Sequence, residues 1–217
     1  MAAKHPLWNE EYWPLLLQLY LEKPVGVKPL YSRGVVDLSL ELHIPPTWLH
    51  MQMFSLRMMT PRIKRLWERY NGHPQRLARD TQKIRRMRSF GNADSFFEGV
   101  EINQSFEKDW LPLEADPSLS PVKLIIILDL YFQLTPLTMV AETPEVVELA
   151  ALLHIGPDLV AQVMSIFMVC DPYLNRADTF VISPLLDACS DVWTRYGNGN
   201  PDELYHLATE LKEYFKD

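Results

Sequence analysis

A shift of 111 residues lays this chain over itself. Val35 to Leu49 (VVDLSLELHIPPTWL) falls on Val146 to Val160 (VVELAALLHIGPDLV), with seven of the 15 positions identical and no gap. The match extends in both directions. Leu17-Gln18-Leu19-Tyr20 falls on Leu128-Asp129-Leu130-Tyr131, and Ser32 on Thr143. Further on the shift grows to 126, and Trp67-Glu68-Arg69-Tyr70 meets Trp193-Thr194-Arg195-Tyr196. One more residue brings Pro74 onto Pro201 and Leu77 onto Leu204. The growing shift implies an extra loop in the second copy, roughly 171–182. A period this long exceeds the ~20–50 residues of a solenoid unit. Two tandem related domains are therefore expected.

Within each copy, apolar residues recur at steps of three and four, which marks amphipathic helices. The first helix is expected from Pro14 to before Pro24, and again from Val122 to about Leu134. Both are apolar nearly all round, which implies burial. A second helix follows Ser32 or Thr143, both suited to an N-cap. It carries Val35, Leu38 and Leu42 in one copy and Val146, Leu149 and Leu153 in the other. It stops at His43 or His154. A third helix begins after Ile44-Pro45-Pro46 or Ile155-Gly156-Pro157. A fourth follows Thr60-Pro61 and ends near Tyr70, and a fifth starts at Pro74 or Pro201. The expected fold is all-α. It comprises a basic helical domain over 1–90, a connecting segment over 91–120 and an acidic helical domain over 121–217. Phe96, Phe97, Phe106 and Trp110 are expected to pack the connecting segment onto the domains.

The second and third helices resemble a helix-turn-helix pair. That motif wants a small residue, a turn residue four later, an apolar residue at once and another five further on. Ser39, His43, Ile44 and Leu49 take those places in copy one, and Ala150, His154, Ile155 and Val160 in copy two. Histidine stands where the motif usually has glycine, and its occurrence in both copies argues for a structural role. The chain as a whole resembles bacterial proteins that carry tandem helix-turn-helix-like repeats, a group that brings no assigned activity with it.

The 217 residues are 47% hydrophobic and 23% charged, an ordinary globular composition. Seventeen prolines against 8 glycines point to many short elements with hard stops rather than flexible linkers. Two cysteines, Cys170 and Cys189, sit among apolar residues and make no disulfide framework. The most apolar run, Leu124 to Leu134, is far shorter than the ~20 residues that span a bilayer. The first residues lack the apolar run of a signal peptide. A soluble cytoplasmic protein without membrane association is the expectation.

Net charge is −7, yet residues 1–90 carry 15 Lys/Arg against 7 Asp/Glu while the remainder carries 6 against 21. Arg57 to Arg88 holds 11 Lys/Arg against only Glu68 and Asp80. Ile63, Leu66, Trp67, Leu77, Ile84 and Met87 recur through it, so it is a folded segment and not a basic tail. At 100° per residue Leu77, Ile84 and Met87 share one face, with Arg76, Arg79, Lys83 and Arg86 opposite. A stripe of one sign repels itself, and a polyanion relieves that cost. In copy two the same positions hold Glu203, His206, Glu210 and Glu213, while the apolar positions stay apolar.

Nucleic-acid binding, most readily DNA and in a regulatory capacity, is the leading expectation. Backbone phosphates would be held by Arg76, Arg79, Lys83 and Arg86, with Arg62, Lys64 and Arg65 adding to the field. The third helix offers Thr47, His50, Gln52 and Arg57 as base readers, a thin set. The alternative is a protein-interaction or self-assembly module in which basic and acidic faces meet, including in a homo-oligomer. Met51, Met53, Met58 and Met59 are expected mainly to fill the core. The six histidines show no metal-ligand spacing. There is no glycine-rich phosphate loop and no nucleophile motif. Neither catalysis nor a metal or cofactor is expected.

Overall fold

The computed structural model describes residues 5–90, 104–174 and 183–216. It is all-α, with no strand among the described residues. The helices are α1 (Trp13–Leu21), α2 (Arg33–Leu42), α3 (Pro46–Ser55), α4 (Pro61–Tyr70), α5 (Pro74–Phe90), α6 (Gln104–Trp110), α7 (Pro121–Gln133), α8 (Pro144–Leu153), α9 (Pro157–Cys170), α10 (Leu186–Val192) and α11 (Pro201–Leu211). Seven of these open on proline, which explains the high proline content. Proline has no N–H to leave unsatisfied in the first turn, and its fixed φ suits a helix start. Two compact units result, Met1–Gln104 and Ser105–Asp217. Phe96 and Phe97 lie outside the described residues. The other end of the expected connecting segment, α6, belongs to the second unit. There Asp109 forms a bidentate pair with Arg195 at 3.0 Å, and Trp110 meets Tyr214 at 4.8 Å between ring centres.

In the first unit α1 is the central element. Leu15, Leu16 and Leu19 pack with Val35, Leu38 and Leu42 of α2 and with Leu49 and Met53 of α3. Leu17, on another side of α1, packs with Tyr70 and Leu77 of the α4–α5 pair. α1 is apolar all round because it is covered from both directions.

The central element of the second unit is α7, where every residue from Leu124 to Tyr131 is buried. Tyr131, Phe167 and Trp193 form an aromatic cluster with centroid separations of 5.8–6.3 Å. Asp129 interrupts this apolar helix and is itself buried, but Nζ of Lys212 lies 3.3 Å from its carboxylate. A buried carboxylate costs several kcal/mol in lost hydration unless it is paired, about the scale that such a contact offsets. Tyr131 donates to Asp171 at 2.8 Å, and burial together with that bond pushes the phenol well above its ordinary range.

The turns after α2 and α8 share their backbone geometry. His43 has φ 55°, ψ 36° and His154 has φ 54°, ψ 47°, both left-handed, and these are the only non-glycine residues with positive φ among those described. In each turn the next N–H reaches back five residues, Ile44 to Ser39 at 3.1 Å and Ile155 to Ala150 at 3.0 Å. This closes the helix as a glycine terminator does. Histidine thus adopts the conformation for which the helix-turn-helix pattern favours glycine. The axes of α8 and α9 turn through 108°, within the ~90–120° of such pairs.

Two expectations about these starts fail locally. Ser32 and Thr143 hold the N-cap positions, but neither hydroxyl caps its helix. Thr143 donates instead to the Thr138 carbonyl at 2.6 Å, and Ser32 Oγ is buried without a partner among the described residues. Among the described residues no single helix is long and apolar enough to cross a membrane.

Candidate nucleic-acid interface

The basic segment folds as the α4–α5 hairpin. Thr60 caps α4 by accepting from the Ile63 N–H at 3.3 Å, and the indole of Trp67 donates to the Leu56 carbonyl at 3.1 Å. Tyr70 ends α4 buried against Leu17 and Leu77. The turn passes through Gly72 at φ +72°, where a side chain would strain the backbone although nothing crowds the position. The His73 carbonyl then accepts the first N–H groups of α5, those of Arg76 and Leu77.

Asp80 ties the hairpin together. It accepts from the Tyr70 hydroxyl at 3.0 Å and from Arg69 at 3.1 Å, with Arg79 at 3.7 Å. Desolvation pushes the Asp80 carboxyl up, but the hydrogen bonds from Tyr70 and Arg69 outweigh it and hold the group below the usual carboxylate range. Burial and the bond to Asp80 push the Tyr70 phenol up. At the far end Arg85 reaches Glu41 of α2 at 3.1 Å. α5 is thereby fixed by Leu77, Thr81 and Ile84 inward and by ion pairs at its flanks.

Its outward side carries Arg76, Arg79, Lys83 and Arg86, all exposed. They span eleven residues, about 15 Å of helix axis. Among the described residues Arg76, Lys83 and Arg86 make no ion pair, and neither does Arg65 on α4. Arg62 pairs with Glu10, and Lys64 stands 3.9 Å from Glu68. Where α5 begins, an open depression of about 700 Å³ is lined by Gly72, His73, Pro74, Gln75, Arg76 and Arg79. The expected inward face needs one correction. Met87 is 68% exposed, because α5 has run past the core after Ile84, and the buried position that sequence reading missed is Thr81.

The expected base readers on α3 are not assembled as a reading set. Thr47 is exposed, but Nε2 of His50 is engaged with the Lys28 carbonyl at 3.0 Å and its ring stands edge-on to Phe54. Gln52 is half-buried, and Arg57 lies past the helix end with its guanidinium 5.7 Å from the centre of the Phe54 ring. The large apolar side chains that α3 and the following turn expose are Met51, Phe54, Met58 and Met59. Of the four methionines expected mainly in the core, only Met53 is there. A further residue without a sequence signal is Lys28. It is buried, donates to the Glu22 and Pro24 carbonyls at the end of α1, and has its ammonium pKa lowered by desolvation.

In the second unit the exposed side of α11 includes Glu203, His206 and Glu210, while Glu213, half-buried, pairs with Lys216. α9 buries Val160, Val163, Met164, Ile166 and Phe167 and exposes Asp158, Gln162 and Ser165. That helix is a packing element with an acidic first turn, which disfavours phosphate. Among the described residues no group of three or more His, Cys, Asp and Glu side chains is arranged to hold a metal ion. No family model, curated protein or solved structure matches the chain.

Proposed function

We propose that the first unit binds nucleic acid, most readily duplex DNA, through the outward face of α5. The observation that carries this is the stripe of Arg76, Arg79, Lys83 and Arg86, held on a helix whose other sides are fixed by packing and ion pairs. Three of the four have no ion-pair partner among the described residues, so a polyanion would gain their full charge. Arg76, Arg79 and His73 also border the open depression at the start of α5, where the positive end of the helix dipole favours a phosphate. Binding would be dominated by backbone contacts, since α3 offers few base readers.

We further infer that the two units are tandem copies of one helical module, each with a helix-turn-helix-like pair. The left-handed histidines and the shared bonds of Ile44 and Ile155 support this. Under that relation the second copy has exchanged its cations for Glu203, Glu210 and Glu213 and given up the polyanion role. The reading is of a binding protein and not an enzyme. A reducing, cytoplasmic setting suits two free cysteines, one of which, Cys189, is buried with its thiol pushed up to about 12.

The test is charge reversal of Arg76, Arg79, Lys83 and Arg86 to glutamate. Fluorescence anisotropy would follow labelled duplex DNA, duplex RNA and single strands, with mass by light scattering alongside. The parent should bind duplex DNA at low salt and the variant should not. A parent that binds no nucleic acid at low salt ends the proposal. A variant that instead changes mass transfers the role of this face to self-assembly.

A further inference from the structure

We propose that the exposed face of α3 docks an acidic amphipathic helix of a partner protein. Thr47, Met51 and Phe54 are spaced by four and three residues and share one side of α3, and Met58 and Met59 follow, exposed, in the turn after it. Met51 is 50% exposed, Phe54 44%, Met58 62% and Met59 74%. Large apolar side chains gathered on one face mark interaction sites more often than scattered ones do. The Phe54 ring is held between the edge of His50 and the guanidinium of Arg57, so it presents a set aromatic anchor. The methionines around it are unbranched and polarisable, and they adapt to the shape of an apolar partner.

The chemistry of the partner follows from the rim. Residues 57–65 contain Arg57, Arg62, Lys64 and Arg65 and no acidic residue. An apolar stripe alone accepts any hydrophobic surface; Arg57 beside Phe54 and Arg65 on α4, neither in an ion pair among the described residues, favour an acidic one over a basic one. A helix fits the length, since Thr47 to Phe54 covers about 10 Å, two turns of a partner that presents anchors at i, i+4 and i+7. A strand would find no open sheet edge here. A nucleic-acid backbone would leave Met51, Phe54 and Met58 without an apolar partner. The face is separate from the α5 stripe, so this inference stands whether or not that stripe binds nucleic acid.

The probe is a fluorescein-labelled 18-residue synthetic helix with leucine and phenylalanine at i, i+3, i+4 and i+7 and glutamate elsewhere. Controls are its scrambled sequence and a version with lysine for glutamate. Anisotropy should rank the acidic amphipathic peptide about tenfold or more tighter than either control, with Met51→Glu, Met58→Glu and Phe54→Ala each weakening it about tenfold. Met51 and Met58 are exposed, so those variants should retain the parent's circular dichroism and melting temperature. Their binding to duplex DNA should also be unchanged. The proposal is overturned by equal binding of the scrambled peptide or by an unchanged Kd in Met51→Glu. It is also overturned if the parent is a dimer that Met51→Glu dissociates, which makes a second copy the occupant. Loss of duplex DNA binding in Met51→Glu would give the face to nucleic acid instead.

Discussion

Replacing His154 with glycine should stabilise the second unit, and replacing it with valine should destabilise it. His154 sits at φ 54°, ψ 47° and is exposed, so its side chain contributes little packing. The left-handed conformation costs an L-residue about 1–2 kcal/mol, which glycine does not incur. Glycine in turn loses about 0.4–1 kcal/mol through the greater freedom of the unfolded chain. The difference leaves about 0.5–1 kcal/mol in favour of glycine. For a unit of this size that is a rise of about 2–8 °C in Tm. Valine is β-branched and still less tolerant of positive φ, so it should fall about 1–2 kcal/mol below histidine. Calorimetry reads both changes on the transition of the second unit, and His43→Gly should move that of the first. An order of stability other than glycine, histidine, valine would refute the left-handed turn, and with it the closest local likeness between the units.

Three further outcomes follow. Asp80 has its pKa held down, so its contribution to stability is full above the unfolded value near 4 and is lost as pH falls through the lower folded value. Urea midpoints of the parent and Asp80→Asn should therefore differ at neutral pH and converge as pH is lowered into that range; parallel curves would argue against the clamp. Lys212→Met should destabilise more, by about 3 kcal/mol, than Asp129→Asn, because it strands a buried carboxylate while the lysine alone can reach water. Denaturant unfolding decides this, and the reverse order would mean the pair is not formed. Phe167→Ala should cost about 3–5 kcal/mol, since that ring is fully buried, whereas Leu137→Ala, at 91% exposure, should cost almost nothing by the same assay.

Most helix boundaries were legible because the signals are local. Apolar spacing in three and four and proline at the first turn marked both ends of α2 and α8 and the starts of α3 and α9 to within a residue or so. The repeated histidine flagged both turns, although only the backbone shows why it is there, namely a left-handed φ. What could not be read depends on contacts far apart in sequence. Lys28 is one cation in a proline-rich stretch, and its role needs the end of α1 and His50. Asp129 reads as a flaw in an apolar run until Lys212, 83 residues on, arrives beside it. The methionines misled because hydrophobic character was taken for burial. α3 exposes one side, so Met51 faces outward; Met58 and Met59 lie in the exposed turn after it, and Met87 lies beyond the core that ends at Ile84. The charged stripe of α5 was visible from periodicity, but the sharing of Asp80 among Arg69, Tyr70 and Arg79 was not.

The salt dependence of duplex DNA binding tests the central claim most directly. Each phosphate contact contributes about −0.9 to the slope of log K against log salt on B-form DNA. Arg76, Arg79, Lys83 and Arg86, each replaced by glutamine, should make the slope shallower by about 3–4 and weaken binding to every sequence alike. A slope that stays the same in the variant would place the contacts elsewhere, and the α5 face would no longer be the interface.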